Sequence, residues 1–233
     1  MKMNDFFDQC YIYETVDKSP EWLEKRKTGI GGSEVSIILN INKYKTPYEL
    51  FMEKKGNSVA QHITNTAIEK GNRLEQPLID VFFALHPEYI PINTKSISLK
   101  SKQYEFMNAN LDGALLDQEK NKCILEIKTT TIQNRDMLHD WGYWDNEHGV
   151  WIERVPDAYY CQVLHYLIVT GFDKAVIYAM LDFAYKDGQE TREITIHRND
   201  VIEDMQYIIT EEKKFWKMLE DNTPPPFMKM NFR

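Results

Sequence analysis

The chain has 233 residues, of which 42% are hydrophobic and 27% charged, and its formal net charge is −8. This composition excludes disordered and fibrous proteins, and no apolar run approaches the ~18 residues that a membrane span requires. The N-terminus lacks the apolar segment of a signal peptide, and the three cysteines are too few and too scattered for a disulfide framework, a zinc site or an iron–sulfur cluster. We therefore expect a cytoplasmic protein without a membrane partner.

The charge is unevenly distributed along the chain. Residues 21–75 carry nine Lys or Arg against seven acids, a net charge of +2, whereas residues 135–157 and 200–221 each carry a net charge of −4. Because the local field governs binding more than the total charge does, a basic inner face inside an acidic shell is compatible with DNA. Two solvated acidic stretches without functional meaning explain the same counts.

The first third of the sequence predicts helices. Ser19 and Pro20 are typical of a helix start, and they precede a short helical segment at residues 21–27. A glycine-rich bend at residues 29–32 then leads into an apolar run at residues 35–39.

Two longer helices follow. Thr46 and Glu49 have the spacing of a capping box, and Gly56 ends the helix that they begin. The next helix is expected over residues 66–86. Its core-facing stripe comprises Gly71, Glu75, Leu78, Phe82 and Leu85.

The remainder of the chain predicts strands first and a mixture of helices and strands later. The pattern indicates strands at residues 97–99, 105–109, 114–116, 123–129, 175–180 and 193–197. An aromatic-rich loop is expected at residues 141–151, and a helix from Asp157 to Gly171. Asp200 and Glu203 have capping-box spacing for a last helix. This order predicts an α/β fold with a central mixed β-sheet flanked by helices.

The most informative segment joins two predicted strands. Asp112 lies at the end of one strand, and Glu126 and Lys128 lie two apart on the next, so both share one face. Leu125 and Ile127 then point to the opposite face, into the core. Buried carboxylates are costly unless they are compensated, and Mg²⁺, which prefers carboxylate oxygens, would compensate them. A salt-bridged, exposed hairpin is the simpler alternative for this spacing.

Two further blocks favour a site. Glu75 is expected on the buried stripe of its helix, where a metal or a buried salt bridge to an Arg explains an acid. Gln162 and Tyr166 are four residues apart and share a helix face, although core packing alone also explains Tyr166.

Together these blocks resemble the YqaJ-type viral recombinases, relatives of lambda exonuclease within the PD-(D/E)XK (restriction-endonuclease-like) nuclease superfamily. The resemblance rests on several motifs in one order. They are Trp22, Arg26, GIGGSE at 29–34, YKTPYEL at 44–50, GNRLE at 71–75, NLDG at 110–113, LEIKTT at 125–130, Val155-Pro156 and YCQVLHY at 160–166.

The resemblance implies one nuclease domain over residues 1–233 with a PD-(D/E)XK core. It implies a 5′→3′ exonuclease that requires Mg²⁺, or Mn²⁺ in its place, and that degrades one strand of linear double-stranded DNA to leave 3′ overhangs for recombination by strand annealing. Its implied partners are a single-strand annealing protein and two further copies in a homotrimer. A phage-encoded protein would act in the cytoplasm of a bacterial host.

The resemblance also implies roles for individual residues. Four positions would hold the metal: Glu75, Asp112, Glu126 and the backbone carbonyl of Ile127. Lys128 would orient the attacking water, and Tyr166 would support the site. The terminal 5′-phosphate would be held by Arg26, Ser33 and Gln162. These roles agree with residue chemistry, because an arginine grips phosphate bidentately and a serine at a helix start lies beside free backbone N–H groups.

Two other functions remain open from the sequence. An endonuclease built on the same core would have a metal site of the same kind, and a covalently closed DNA circle distinguishes it from an exonuclease. A non-catalytic, acidic binding or decoy protein would suit the net charge of −8, but it would have no reason to hold Asp112, Glu126 and Lys128 together.

Overall fold

The computed structural model describes residues 2–14, 26–56 and 66–227. The helix start predicted at Ser19 and Pro20, Trp22 and most of the segment 21–27 lie outside these residues. In chain order the described elements are α1 (Met3–Phe6), β1 (Cys10–Glu14), β2 (Ile30–Gly31), α2 (Gly32–Ile38), α3 (Pro47–Lys54), α4 (Thr66–Leu85), β3 (Ile90–Ile92), β4 (Ile97–Ser101), β5 (Met107–Ala109), β6 (Gly113–Leu116), β7 (Lys122–Ile132), α5 (Arg135–His139), β8 (Gly142–Asp145), β9 (Val150–Glu153), α6 (Asp157–Thr170), β10 (Lys174–Phe183), β11 (Gln189–His197) and α7 (Ile202–Glu220).

The central sheet is mixed and has five strands in the order β11-β10-β7-β6-β3. Strands β7 and β10 are parallel, and the other neighbouring pairs are antiparallel. The parallel pair is joined through α6, as parallel neighbours require a long crossover connection. Most residues of β10 are buried, which is typical of a strand covered on both faces.

Helices cover both faces of this sheet. Helix α4 packs Leu78 and Phe82 against Leu125 and Ile127 of β7. On the opposite face lies α6, in which every residue from 161 to 170 is buried except Gln162. The predicted architecture, a mixed sheet flanked by helices, is therefore the observed one.

A second sheet of four strands, in the order β1-β4-β5-β2, packs on the far side of α6. His165 of α6 connects this sheet to α7. Its Nδ1 lies 2.8 Å from Glu212 Oε1, and its Nε2 lies 2.9 Å from the Asn108 carbonyl oxygen. Because a carbonyl only accepts, Nε2 carries a proton. His165 and Glu212 are both fully buried, so each depends on the other for a partner.

Three local predictions were wrong. The N-terminal segment contains a strand, β1, where helices were expected, because its alternating residues pair with β4. The aromatic-rich segment contains a hairpin, β8–β9, in which Trp144 lies opposite Trp151 and both are about half exposed. Of the aromatic side chains in this segment, only Trp141 is buried, beside Tyr159.

The third error concerns the last helix. Its cap position is Val201, which makes no side-chain capping hydrogen bond, because Asp200 lies one residue further back, in a short 3₁₀ turn (Arg198–Asp200). By contrast, the box at Thr46 and Glu49 is confirmed by reciprocal side-chain hydrogen bonds. Within the described residues no helix is both long and apolar enough to cross a membrane.

Candidate active site

Strand β7 presents two charged side chains to helix α6. Glu126 is 1% exposed and its Oε1 lies 2.6 Å from Lys128 Nζ, whose side chain is 14% exposed. Leu125 and Ile127 face the opposite side, in the cluster beneath α4. The alternation expected from the sequence is confirmed. Of the alternative, a salt-bridged and exposed hairpin, the Lys128–Glu126 pair is observed, but the exposure is wrong because this strand lies in the middle of the central sheet.

Asp112 reaches the same place from the strand next to β7. It directly precedes β6, and its Oδ2 accepts a hydrogen bond from the Ile127 N–H at 2.8 Å. The residue pairing between β6 and β7 extends only from Gly113↔Leu125 to Leu116↔Lys122. Asp112 therefore occupies the edge that β7 exposes beyond the end of β6. Because the N–H and C=O of one strand residue point to the same side, the Ile127 carbonyl also points to this edge.

Glu126 has one satisfied and one unsatisfied oxygen. Oε1 accepts from Lys128 Nζ and, at 2.8 Å, from Gln162 Nε2. Oε2 is buried and has no hydrogen-bond partner. A buried carboxylate oxygen without a partner is costly, so it marks a position where a positively charged ligand would be stabilised.

The electrostatics support the same conclusion. Burial, the Asp112 carboxylate and Glu75 raise the pKa of Glu126 to about 8, against the opposing effect of Lys128. Burial also raises the pKa of Asp112, opposed by Lys128 and by the Ile127 N–H. Burial alone would lower the pKa of Lys128, but Glu126 and Asp112 outweigh it and raise that pKa. Glu126, Asp112 and Glu75 thus interact with each other beside one ammonium, that of Lys128. A bound cation would relieve this excess of negative charge.

Lys128 is held in a fixed position by its neighbours. Besides Glu126, its Nζ donates to Gln162 Oε1 at 3.0 Å, and it lies 4.8 Å from the centre of the Tyr159 ring. A cation over an aromatic face is favourable. Tyr159 was not predicted as a site residue, although its position three residues before Gln162 on the same helix was a usable signal.

The burial predicted for Glu75 is wrong. Glu75 is exposed, and so is most of Leu85, at 63%. The reason is that α4 packs on the sheet mainly through Leu78 and Phe82, whereas Glu75 lines an open cleft of about 890 Å³ together with Asp112. Glu75 is nevertheless close enough to Glu126 to raise its pKa.

Residues that could bind a divalent metal are present, but their side chains are not close enough together to coordinate one ion. Within residues 2–14, 26–56 and 66–227, no three His, Cys, Asp or Glu side chains lie close enough to hold a metal ion. The unsatisfied Glu126 Oε2, the Asp112 carboxylate and the Ile127 carbonyl are nonetheless hard oxygen donors of the kind that Mg²⁺ prefers. These donors therefore suit the metal, and Glu75 faces them from the wall of the open cleft.

A smaller pocket lies beside this cleft. It has a volume of about 200 Å³ and contains Arg26. Asn110, two residues before Asp112, lines both the pocket and the cleft. The Arg26 side chain is 38% exposed, and its Nη2 lies 3.4 Å from Glu34 Oε1.

The glycine-rich bend brings Ser33 towards α6. Ser33 is exposed and occupies the first turn of α2, whose cap position is Gly31. A Cβ atom on Gly32 would lie 2.5 Å from Tyr166 Cε1 and 3.1 Å from Gln162 Cγ. Only glycine permits this approach, which explains the glycine at position 32.

Gln162 takes a different place from the one expected of a phosphate ligand. Its Nε2 donates to Glu126 Oε1 and, at 3.0 Å, to Tyr166 Oη. Both amide hydrogens thus point into the site rather than towards Arg26. Tyr166 is 6% exposed, and burial together with Glu126 and Asp112 raises its pKa well above the usual value. It is both a core residue and a support for Gln162.

Sequence reasoning missed a buried ion pair beneath the bend. Lys54 Nζ lies 2.7 Å from Glu34 Oε2, and their side chains are 3% and 5% exposed. Glu34 directly follows Ser33, in the first helical turn, where an acid is ordinarily a capping residue. Nothing in the sequence indicated that Lys54 would be its partner, because the pairing depends on how α3 packs.

Comparison with known proteins identifies related sequences. Residues 21–173 match the YqaJ-like viral recombinase domain. The uncharacterized protein YqaJ of Bacillus subtilis (strain 168) is 33% identical over 211 residues, which cover 88% of this chain and 58% of that protein. The chain therefore spans a little over half the length of this relative.

Solved structures share the fold. The alkaline exonuclease LHK-Exo of Laribacter hongkongensis is 16% identical, has a TM-score of 0.59 and aligns over 88% of this chain and 94% of its own. A phage-related exonuclease from Haemophilus somnus 129PT is 17% identical, has a TM-score of 0.52 and aligns over 83% and 96%. At these identities the likeness shows the fold alone, which is the PD-(D/E)XK fold predicted from the sequence. Because the matched segment covers well over half of the sequence, the chain belongs to the YqaJ-like viral recombinase domain family.

Proposed function

We propose that this chain is a Mg²⁺-dependent 5′→3′ exonuclease that acts on linear double-stranded DNA and leaves 3′ single-stranded overhangs. One observation carries the proposal. A buried carboxylate oxygen without a partner, on Glu126, lies beside Lys128 and near Asp112. Asp112 lines the cleft, and Asn110 lines both the cleft and the Arg26 pocket. Hydrolytic chemistry and a place for a terminal phosphate therefore adjoin each other.

The residues divide into three roles. Asp112, Glu126 and the Ile127 carbonyl would hold the metal, with Glu75 completing the set from the cleft. When bound, the metal would polarise the scissile phosphate and lower the pKa of a water molecule. Lys128 orients the attacking water and stabilises charge that develops on the phosphate.

Gln162 and Tyr166 act on Lys128 and Glu126 rather than on the DNA. Gln162 accepts from Lys128 and donates to Glu126, which fixes the direction of both side chains, and Tyr166 orients Gln162. Arg26 and Ser33 would bind the terminal 5′-phosphate, and in this proposal Gln162 is no longer a direct phosphate ligand.

A covalently closed circular duplex tests the proposal against an endonuclease on the same core. With Mg²⁺, the linear duplex should be degraded, whereas the closed circle should survive at the same enzyme concentration. Cleavage of the circle would instead support the endonuclease. Titration calorimetry with Mg²⁺ and Mn²⁺ separates either enzyme from a non-catalytic decoy, which should bind neither metal in the cleft.

The remaining parts of the proposal concern assembly. We propose that residues 1–233 form one nuclease domain, that it works as a homotrimer with a single-strand annealing protein, and that it does so in the cytoplasm of a bacterial host. Sedimentation equilibrium would give the mass of the assembly in solution. A mass corresponding to one chain would contradict the trimer.

A further inference from the structure

A buried pair of opposite charges lies beneath the bend that carries Ser33. Lys54 ends α3 and Glu34 lies in the first turn of α2, and their side chains are only 3% and 5% exposed. Removing two charges from water costs more than their attraction returns, unless further hydrogen bonds satisfy them. The other partners of the two side chains therefore indicate what the pair does.

The ammonium of Lys54 forms hydrogen bonds with the backbone at two positions in and before the bend. It donates to the carbonyl of Arg26 at 2.5 Å and to the carbonyl of Gly29 at 2.6 Å. With Glu34 Oε2 as the third acceptor, all three ammonium hydrogens have partners. The backbone of Arg26 is thus tied directly to α3.

The carboxylate of Glu34 is divided between two cations. Its Oε2 accepts from Lys54 and from the Gly31 N–H at 2.9 Å, whereas its Oε1 faces Arg26 Nη2 at 3.4 Å. Burial alone would raise the pKa of Glu34, but Lys54 and Arg26 outweigh it and hold that pKa below its usual value. Lys54 and Arg26 therefore share one carboxylate, and Lys54 makes the shorter contact with it.

Of the two cations, only Arg26 is accessible. Lys54 is buried, whereas the Arg26 side chain is 38% exposed and lines a pocket that shares Asn110 with the metal cleft. How strongly Glu34 holds the Arg26 guanidinium therefore depends on Lys54.

We propose that Lys54 is a positioning residue for DNA-end recognition: it holds Glu34, so that this carboxylate competes less with a terminal 5′-phosphate for the Arg26 guanidinium. This inference rests on the proposed function. Without Lys54, Arg26 would become the cation closest to Glu34. Its guanidinium would then be drawn into a bidentate pair with that carboxylate, in competition with the phosphate.

The test compares linear duplexes that differ only in carrying a 5′-phosphate or a 5′-hydroxyl. For Lys54→Met we expect the preference for the phosphorylated duplex, measured as the ratio of kcat/KM values, to fall about tenfold, which is the scale of one charge-assisted hydrogen bond. The loss should appear in KM, with kcat at saturating DNA maintained. Lys55→Met is the matched control, because Lys55 is the next residue, and it donates to the Leu219 carbonyl instead.

A double variant separates charge competition from loss of the two backbone hydrogen bonds. Lys54→Met/Glu34→Gln lacks the same hydrogen bonds as Lys54→Met, but it also lacks the carboxylate that would capture Arg26. We expect its phosphate preference to recover towards that of the unmodified protein. Should Lys54→Met fail to fold, the neutral double variant still tests the inference, since a lost preference there would overturn it.

Two other outcomes are decisive. An unchanged preference in Lys54→Met, or equal defects in the single and double variants, would overturn the inference and leave the proposed function standing. Equal rates on both duplexes with the unmodified protein would overturn end recognition itself, and this inference with it.

Discussion

Replacing Gly32 with alanine should damage both the fold and the site, because the new methyl group has no room. Its Cβ would lie 2.5 Å from Tyr166 Cε1, far inside the ordinary contact range of 3.4–4 Å. Tyr166 cannot move away freely, since it is 6% exposed and its hydroxyl accepts from Gln162. Overpacking of this kind costs about 1–3 kcal/mol. At a midpoint shift of ~2–4 °C per kcal/mol for a chain of this size, the midpoint should fall by about 4–8 °C for a cost of 2 kcal/mol.

The neighbouring glycine is the matched control. The nearest atom to a Cβ on Gly31 is Glu34 Oε2 at 4.0 Å, and its φ of −97° suits any residue. Gly31→Ala should lower the midpoint by only about 2 °C, since alanine is roughly 0.5–1 kcal/mol less favourable than glycine at a helix cap. Scanning calorimetry in EDTA measures both variants. Equal midpoints for Gly31→Ala and Gly32→Ala would refute the close approach of the bend to α6.

Three further variants test the buried charges. The pKa of Glu126 is about 8 in the folded protein and 4.5 ordinarily, so its contribution to the free energy of unfolding is complete below pH 4.5 and is lost as the pH rises through 8. Urea unfolding in EDTA should show that Glu126→Gln removes this part of the fall in stability with pH. Parallel pH profiles for the variant and the unmodified protein would contradict the assignment. Lys128→Met should lower kcat by roughly 10²-fold or more, while calorimetry finds Mg²⁺ affinity maintained; normal turnover with weakened metal binding would make Lys128 structural. His165→Leu leaves the buried Glu212 carboxylate without its partner and should lower the free energy of unfolding by about 3–5 kcal/mol, whereas Glu212→Gln should lower it by about 1 kcal/mol. Equal losses in urea unfolding would show that the two residues do not form a pair.

The central part of the site was predictable because it depends on local periodicity. Alternation along β7 places Glu126 and Lys128 on one face and Leu125 and Ile127 on the other, whatever the rest of the fold. Asp112 was predictable for a related reason. It directly precedes the strand that pairs with β7, so its carboxylate reaches the edge beyond that pairing.

The errors arose where a long-range contact decides the outcome. Helical periodicity placed Glu75 with Leu78 and Phe82, but periodicity does not say where along α4 the sheet ends, and Glu75 lies over the open cleft. The Lys54–Glu34 pair joins two helices whose mutual packing no local pattern specifies. For Gln162, the correct helix face was predicted, but its donors are directed by Glu126 and Tyr166.

Single-turnover digestion of a linear duplex, labelled separately at its 5′ and 3′ ends, tests the central claim most directly. With Mg²⁺, the 5′ label should be released first while the 3′ label stays on long single strands. Asp112→Ala, with a circular dichroism spectrum like that of the unmodified protein, should release neither label. Release of the 3′ label first, or undiminished cleavage by Asp112→Ala, would contradict the proposed polarity or the proposed site.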